Sequence, residues 1–91
     1  MLEIKVENSF KKDVKRLNKS GSNDIEKLKE VIRKLEHEEI LDKKYRVHKL
    51  SNNWSDHLEG HIEPDWLLIY RIDKKKKELI LVRTGSHSNL F

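Results

Sequence analysis

The stretch Trp66-Leu67-Leu68-Ile69-Tyr70-Arg71-Ile72 narrows most sharply what this chain can fold into. It is almost free of polar breaks and so has no side to turn to water. It suits a central strand covered on both faces. Leu79-Ile80-Leu81-Val82 is a second run of the same kind. Asp73 and the consecutive lysines Lys74 to Lys77 stand between them as a solvated turn, so the two runs form a hairpin. In an antiparallel hairpin the start of one strand lies beside the end of the next. His61 and Asp65, before the first run, are thereby expected on the same rim as Arg83 and His87, after the second.

The remaining segments supply what covers that hairpin. Leu2-Glu3-Ile4-Lys5-Val6 alternates apolar with charged, the pattern of a half-buried strand. Asn8 or Ser9 can cap a following helix. In that helix Phe10, Val14 and Leu17 form one stripe, flanked by Lys11, Lys12, Lys15 and Arg16. The small polar run Asn18-Lys19-Ser20-Gly21-Ser22 ends it. A second helix is expected from Asn23, with Glu26 in the capping-box position and Ile25, Leu28, Val31, Ile32 and Leu35 on one face. The short loop between the two helices predicts an antiparallel helical hairpin over the sheet. Glu38 to Asp56 lacks a clean period; Tyr45 to Leu50 suits an irregular strand, and Ser51-Asn52-Asn53 a turn. His57 to Glu63 is the next strand, closed by Pro64, which has no N–H for further pairing. The expected fold class is α+β: an N-terminal strand and a two-helix hairpin packed on a mainly antiparallel sheet of four to five strands.

With 91 residues the chain has room for one domain, spanning 1–91. It contains no cysteine, which removes disulfides and thiolate metal sites. Its longest apolar run falls well short of the roughly 20 residues that cross a bilayer. No signal-peptide pattern opens it, and a soluble, cytoplasmic protein with no membrane partner is expected. Charged residues make up 40% of the chain with a net charge of +4, a balance that favours nucleic acid or an acidic protein segment as partner. Basic and aromatic residues alternate through Lys43, Lys44, Tyr45, Arg46, His48, Lys49 and Trp54, the composition of an RNA-contacting surface. Trp54 equally suits an anchor that pins this segment to the core.

His37 closes the second helix, where an imidazole suits the dipole. His57 and His61 are four apart, but their segment is not helical and no zincin glutamate follows the first, so no metal site and no cofactor are expected. His48, His61 and His87 each sit at the edge of an apolar segment, in company with Asp65, Arg83 and Phe91. Cleaving RNA without a metal needs a base for the 2′-OH, an acid for the departing 5′-oxygen and a cation for charge growing on the phosphate. Histidine suits the first two tasks, because its pKa lies near working pH. Arginine suits the third, through its fixed fork of donors.

The segments His48-Lys49-Leu50, Gly60-His61-Ile62-Glu63-Pro64-Asp65-Trp66-Leu67-Leu68-Ile69-Tyr70 and Arg83-Thr84-Gly85-Ser86-His87-Ser88-Asn89-Leu90-Phe91 resemble the YafQ branch of the RelE/ParE superfamily of bacterial toxins. The resemblance runs end to end and is most specific in the last third. It implies a RelE-like fold and a ribosome-dependent, metal-independent endoribonuclease that cleaves mRNA in the A site. It further implies His48, His61, Asp65 and His87 as the acid–base set, with Arg83 and Phe91 contacting RNA; the basic–aromatic composition of their segment adds Arg46 and Lys49 as RNA contacts. His87 leads proton transfer in this scheme, Asp65 and His48 share it, and His61 orients the phosphate. The implied partners are the ribosome, mRNA and an antitoxin with an acidic C-terminal segment, bound in a heteromeric complex; the free toxin would be a monomer. Two alternatives share the fold: a non-enzymatic toxin such as a gyrase inhibitor, and a plain nucleic-acid-binding module. The chain departs from the family at Asn52 and Asp56, where glycine is common, and at Leu58, where an arginine is common.

Overall fold

The computed structural model describes residues 1–21 and 23–91. Its frame is a five-stranded sheet in the order β1-β5-β4-β3-β2, built from β1 (Glu3–Val6), β2 (His48–Lys49), β3 (Leu58–Glu63), β4 (Trp66–Asp73) and β5 (Glu78–Gly85). β1 runs parallel to β5 and every other pair is antiparallel. β4 is the central strand, as its composition requires. Leu67, Leu68 and Ile69 are fully buried, and each such side chain contributes about 1.5–3 kcal/mol by leaving water. The lysine turn after it is held by Asp73, whose carboxylate accepts the amides of Lys75 and Lys76.

Alternation along the strands separates two cores. Trp66, Leu68, Tyr70, Leu79 and Leu81 meet the apolar stripes of α1 (Asn8–Ser20) and α2 (Ile25–Glu36). Leu67, Ile69, Ile80 and Val82 face the other way, where the short α3 (His87–Leu90) brings Leu90 against them and Leu50 and Trp54 pack alongside. Trp54 is thus an anchor in the second core.

Several details differ from the sequence expectations. α1 begins at Asn8 after Glu7, and neither candidate caps it; the Ser9 hydroxyl donates instead to the carbonyl of Val82 on β5. That helix runs on through Ser20 and stops at Gly21, whose φ of 66° is left-handed; Ser22 lies outside the described residues. The cap of α2 is Asp24 rather than Asn23, with its carboxylate accepting the Glu26 amide. Tyr45 belongs to a 3-10 turn over Lys43–Tyr45, not to a strand, and it is buried with the helix-side core beneath the ammonium groups of Lys34 and Lys44. It is therefore a packing residue rather than an RNA-facing one.

The least expected core residue is Asp13, in the middle of the α1 stripe, with a side chain only 3% exposed. Its carboxylate accepts from Arg83 Nε at 2.7 Å and Nη2 at 3.1 Å, from the Thr84 amide at 3.1 Å and from Arg16 at 3.0 Å. Thr84 extends the network: its hydroxyl donates to the Leu67 carbonyl and accepts from the Trp66 indole. Burial pushes the Asp13 carboxyl up, but the Arg83 and Thr84 hydrogen bonds and the two guanidinium charges outweigh it and hold it below the usual carboxylate range. α1 is thereby fastened to the end of β5 from which the C-terminal segment departs.

Removing one partner of a buried pair leaves the other charge unmatched, so Asp13→Ala should lower unfolding free energy by about 3–5 kcal/mol in chemical denaturation. A carboxyl with a depressed folded-state pKa stabilises above its unfolded pKa and loses that contribution as pH falls through the folded value. The wild type's margin over Asp13→Asn should accordingly shrink below about pH 4. A margin that is flat with pH would show that the ionised carboxylate is not the stabilising form.

Candidate active site

Four side chains meet on the rim formed by β2, β3, the β3–β4 turn and α3. Pairing of β2 with β3 sets His48 opposite Glu59, and His61 lies two residues farther along β3. The β3–β4 register shifts between His61 and Glu63, an irregularity of the kind that re-aims a side chain beside a functional site. Gly85 ends β5 with a φ of 152°, a backbone that side chains disfavour, and the chain turns there into α3. That turn carries His87 onto Asp65. The Asp65 carboxylate accepts the His87 amide at 3.2 Å and faces its Nδ1 at 3.3 Å. These two hydrogen bonds, amide first, hold the Asp65 carboxyl below its ordinary range.

The imidazoles form a row with His61 in the middle. Its ring centroid is 6.2 Å from that of His48 and 5.9 Å from that of His87. Phe91 continues the line, 6.3 Å from His87 and edge-on to Trp54 at 6.1 Å, and it remains largely exposed. Asp65 fixes the orientation of His87, whose side chain is 54% exposed. A carboxylate that holds Nδ1–H selects the tautomer whose Nε2 carries a lone pair. Arg46 and Lys49 are exposed beside His48, and the Arg46 carbonyl faces His48 Nδ1 at 2.9 Å. A groove of about 440 Å³ next to His61 is lined by Lys27, Lys44 and Arg46 and by Glu30 and Glu63, the last paired with Lys27.

The structure thus gathers His48, His61, Asp65, His87 and Phe91. Arg83 differs: its Nε and Nη2 are committed to Asp13, so one edge of its guanidinium is anchored to α1. His57 stands apart from the row; it packs edge-on against Trp54, and its buried Nδ1 has no partner among the described residues. Two contributors escaped the sequence analysis. Glu59 is buried with one carboxylate oxygen 3.4 Å from His48 Nε2 and 3.3 Å from His61 Nε2. Its signal was the alternation of β3, which puts residues 59 and 61 on one face. Asp13 was signalled by an acidic residue three positions after Phe10, inside an apolar stripe.

A sequence profile described as the bacterial toxin of type II toxin–antitoxin systems, YafQ, matches residues 2–91. The chain belongs to the YafQ family of toxins. It is 37% identical over 90 residues to the mRNA interferase toxin YafQ of Escherichia coli (strain B / BL21-DE3), covering 98% of this chain and 95% of that protein. A metal-bound toxin from Helicobacter pylori is 43% identical, with both chains covered in full and a TM-score of 0.92. The toxin chain of the E. coli DinJ–YafQ complex is 36% identical with a TM-score of 0.89, covering 100% of this chain and 99% of that one. Two of the chain's departures from the family pattern, at Asn52 and Leu58, have local explanations. Asn52 has a φ of 58°, the left-handed conformation that asparagine tolerates best after glycine. Leu58 packs against the helix-side core.

Because Asp65 holds His87 Nδ1, Asp65→Asn should redistribute the His87 tautomers, read from its ring nitrogen shifts by NMR. Unchanged shifts would mean that the Asp65–His87 contact does not orient the ring.

Proposed function

We propose that this chain carries out mRNA cleavage as a ribosome-dependent endoribonuclease, with His48 and His87 as the proton-transfer pair on either side of a phosphate seated over His61. The observation that carries this is the row of three imidazoles with Asp65 at one end. In cleavage by the 2′-OH, one imidazole takes the hydroxyl proton as the oxygen attacks phosphorus. The 5′-oxygen leaves on the opposite side and collects a proton from a second imidazole, giving a 2′,3′-cyclic phosphate and a 5′-hydroxyl. In-line displacement therefore calls for two proton carriers flanking the phosphorus, with a third group beneath it. His48 and His87 flank, and His61 is central. Asp65 keeps His87 in the useful tautomer, which supports His87 as the leading acid–base group.

The exposed guanidinium of Arg46 and ammonium of Lys49 suit the RNA backbone, and Arg83 keeps N–H donors of the kind that suit phosphate beyond those that Asp13 takes. Phe91 presents a ring on which a base can stack. A plain binding module has no use for an Asp65-oriented imidazole. The antitoxin of such a toxin, with an acidic segment, matches the chain's net charge of +4. The ribosome and translated mRNA put the activity in the cytoplasm.

His87→Ala should lower cleavage of ribosome-bound mRNA by about 10²–10⁴-fold. Mapping cleaved 5′ ends after induction checks this and reports reading frame as well; wild-type cleavage by the variant would remove His87 from the mechanism. Phe91→Ala should cost about 1–3 kcal/mol of RNA binding, measured as a rise in KM. An unchanged KM would make Phe91 a packing residue for Trp54.

A further inference from the structure

Arg46 holds a backbone that arginine rarely adopts. Its φ and ψ are both 47°, in the left-handed region that glycine, asparagine and aspartate visit most readily. A strained residue of this kind persists only where its surroundings impose it, and such residues gather at functional sites. Three hydrogen bonds impose it here. The Asp42 carboxylate accepts the Lys44 amide at 2.9 Å, the Asp42 carbonyl accepts the Tyr45 amide at 3.1 Å, and the Lys43 carbonyl accepts the Arg46 amide at 3.0 Å. Tyr45 is buried in the helix-side core, so the turn over Lys43–Tyr45 has a fixed seat, and Arg46 closes it.

The consequence falls on His48. The ψ of residue 46 sets the direction of its carbonyl, and in a β-strand ψ lies at about 115–135°. The left-handed value turns the carbonyl by roughly 70–90° from that direction. In this orientation it stands 2.9 Å from His48 Nδ1. Among the described residues this is the shortest hydrogen bond made by any ring of the row: His61 Nδ1 is 3.4 Å from the Pro64 carbonyl and His87 Nδ1 is 3.3 Å from Asp65. A carbonyl only accepts, so the Nδ1 facing it carries the proton. The His48 Nε2 lies 3.4 Å from the same Glu59 oxygen that His61 Nε2 borders at 3.3 Å, and it therefore faces along the row. Pairing of β2 with β3 holds the backbone of His48, and the Arg46 carbonyl holds its ring.

Resting on the cleavage mechanism above, we propose that Arg46 is a positioning residue: its left-handed backbone aims the carbonyl that keeps the His48 proton on Nδ1 and leaves Nε2 to exchange protons with RNA. The two histidines that flank the phosphate are then oriented in the same sense by different means, His87 by a carboxylate and His48 by a main-chain carbonyl. This role belongs to the backbone of Arg46, apart from the contact its guanidinium makes with RNA in that mechanism. Substitution separates the two. Glycine deletes the guanidinium and adopts positive φ freely, whereas valine deletes it and resists positive φ.

Purified toxin labelled with ¹⁵N and free of RNA is measured by long-range ¹H–¹⁵N correlation, at a pH where its imidazoles are neutral. Wild-type His48 should show a protonated Nδ1 and an unprotonated Nε2, the reverse of the preference of free histidine. Arg46→Gly should keep that pattern and Arg46→Val should lose it, both being checked for folding by circular dichroism. Cleavage of mRNA on programmed ribosomes then gives kcat and KM. Both variants lack the guanidinium and should share a raised KM. The kcat of Arg46→Val should fall about tenfold or more below that of Arg46→Gly, part of the roughly 10²–10⁴-fold acid–base contribution. A wild-type proton on Nε2 overturns the proposal, whether or not Arg46→Val folds. So does a folded Arg46→Val that retains the wild-type ring pattern, and so do equal kcat values for the two variants. A wild type that shows the expected ring pattern but cleaves no mRNA overturns the cleavage mechanism and leaves the orientation of His48 by Arg46 standing.

Discussion

The burial of β4 on both faces is the constraint from which the rest of the structure follows. A strand with Leu67, Leu68 and Ile69 removed from water needs a layer on each side. The chain supplies them unequally: two amphipathic helices on one side, and on the other only α3, Leu50 and Trp54. The thinner side is where polar groups come to the surface. The histidine row borders it because a short covering segment leaves the adjoining rim of the sheet open to a large substrate. β5 supports this arrangement from beneath, since it delivers both Arg83 to Asp13 and, after Gly85, His87 to Asp65.

Two carboxylates divide the electrostatic work. Asp13 is saturated: two arginines, a backbone amide and close geometry leave it nothing further to bind, and its role is to fix α1 against β5. Glu59 is as deeply buried but faces two imidazoles at longer range. Guanidinium stays charged, so the first pairing is a fixed fastening, whereas the second meets imidazole nitrogens that can either donate or accept.

Much of this was legible in the chain. The apolar runs required a central hairpin, and the periods of Phe10–Leu17 and Ile25–Leu35 required two helices over one face. The convergence of His61 and Asp65 with His87 followed from hairpin geometry alone. The local hydrogen-bond choices were less legible, because near-equivalent side chains compete for them. Asp24 rather than Asn23 caps α2, and Ser9 serves β5 rather than its own helix. Tyr45 looked like part of a basic aromatic surface, yet its ring is buried. A phenol among lysines reads the same whether it faces RNA or lies under their ammonium groups.

Sequence by itself determined the class of fold, the central hairpin and the identity of the groups able to move protons, because periodicity and side-chain chemistry are local properties. Tertiary structure decided which further groups join that rim and what lies buried beneath it. Asp13 meets Arg83 seventy positions away along the chain. Glu59 joins His48 to His61 only because an otherwise unremarkable two-residue strand pairs in one register. Spacing along the chain placed Asp13 and Glu59 on their faces, but their partners from other strands were set by through-space distance and burial.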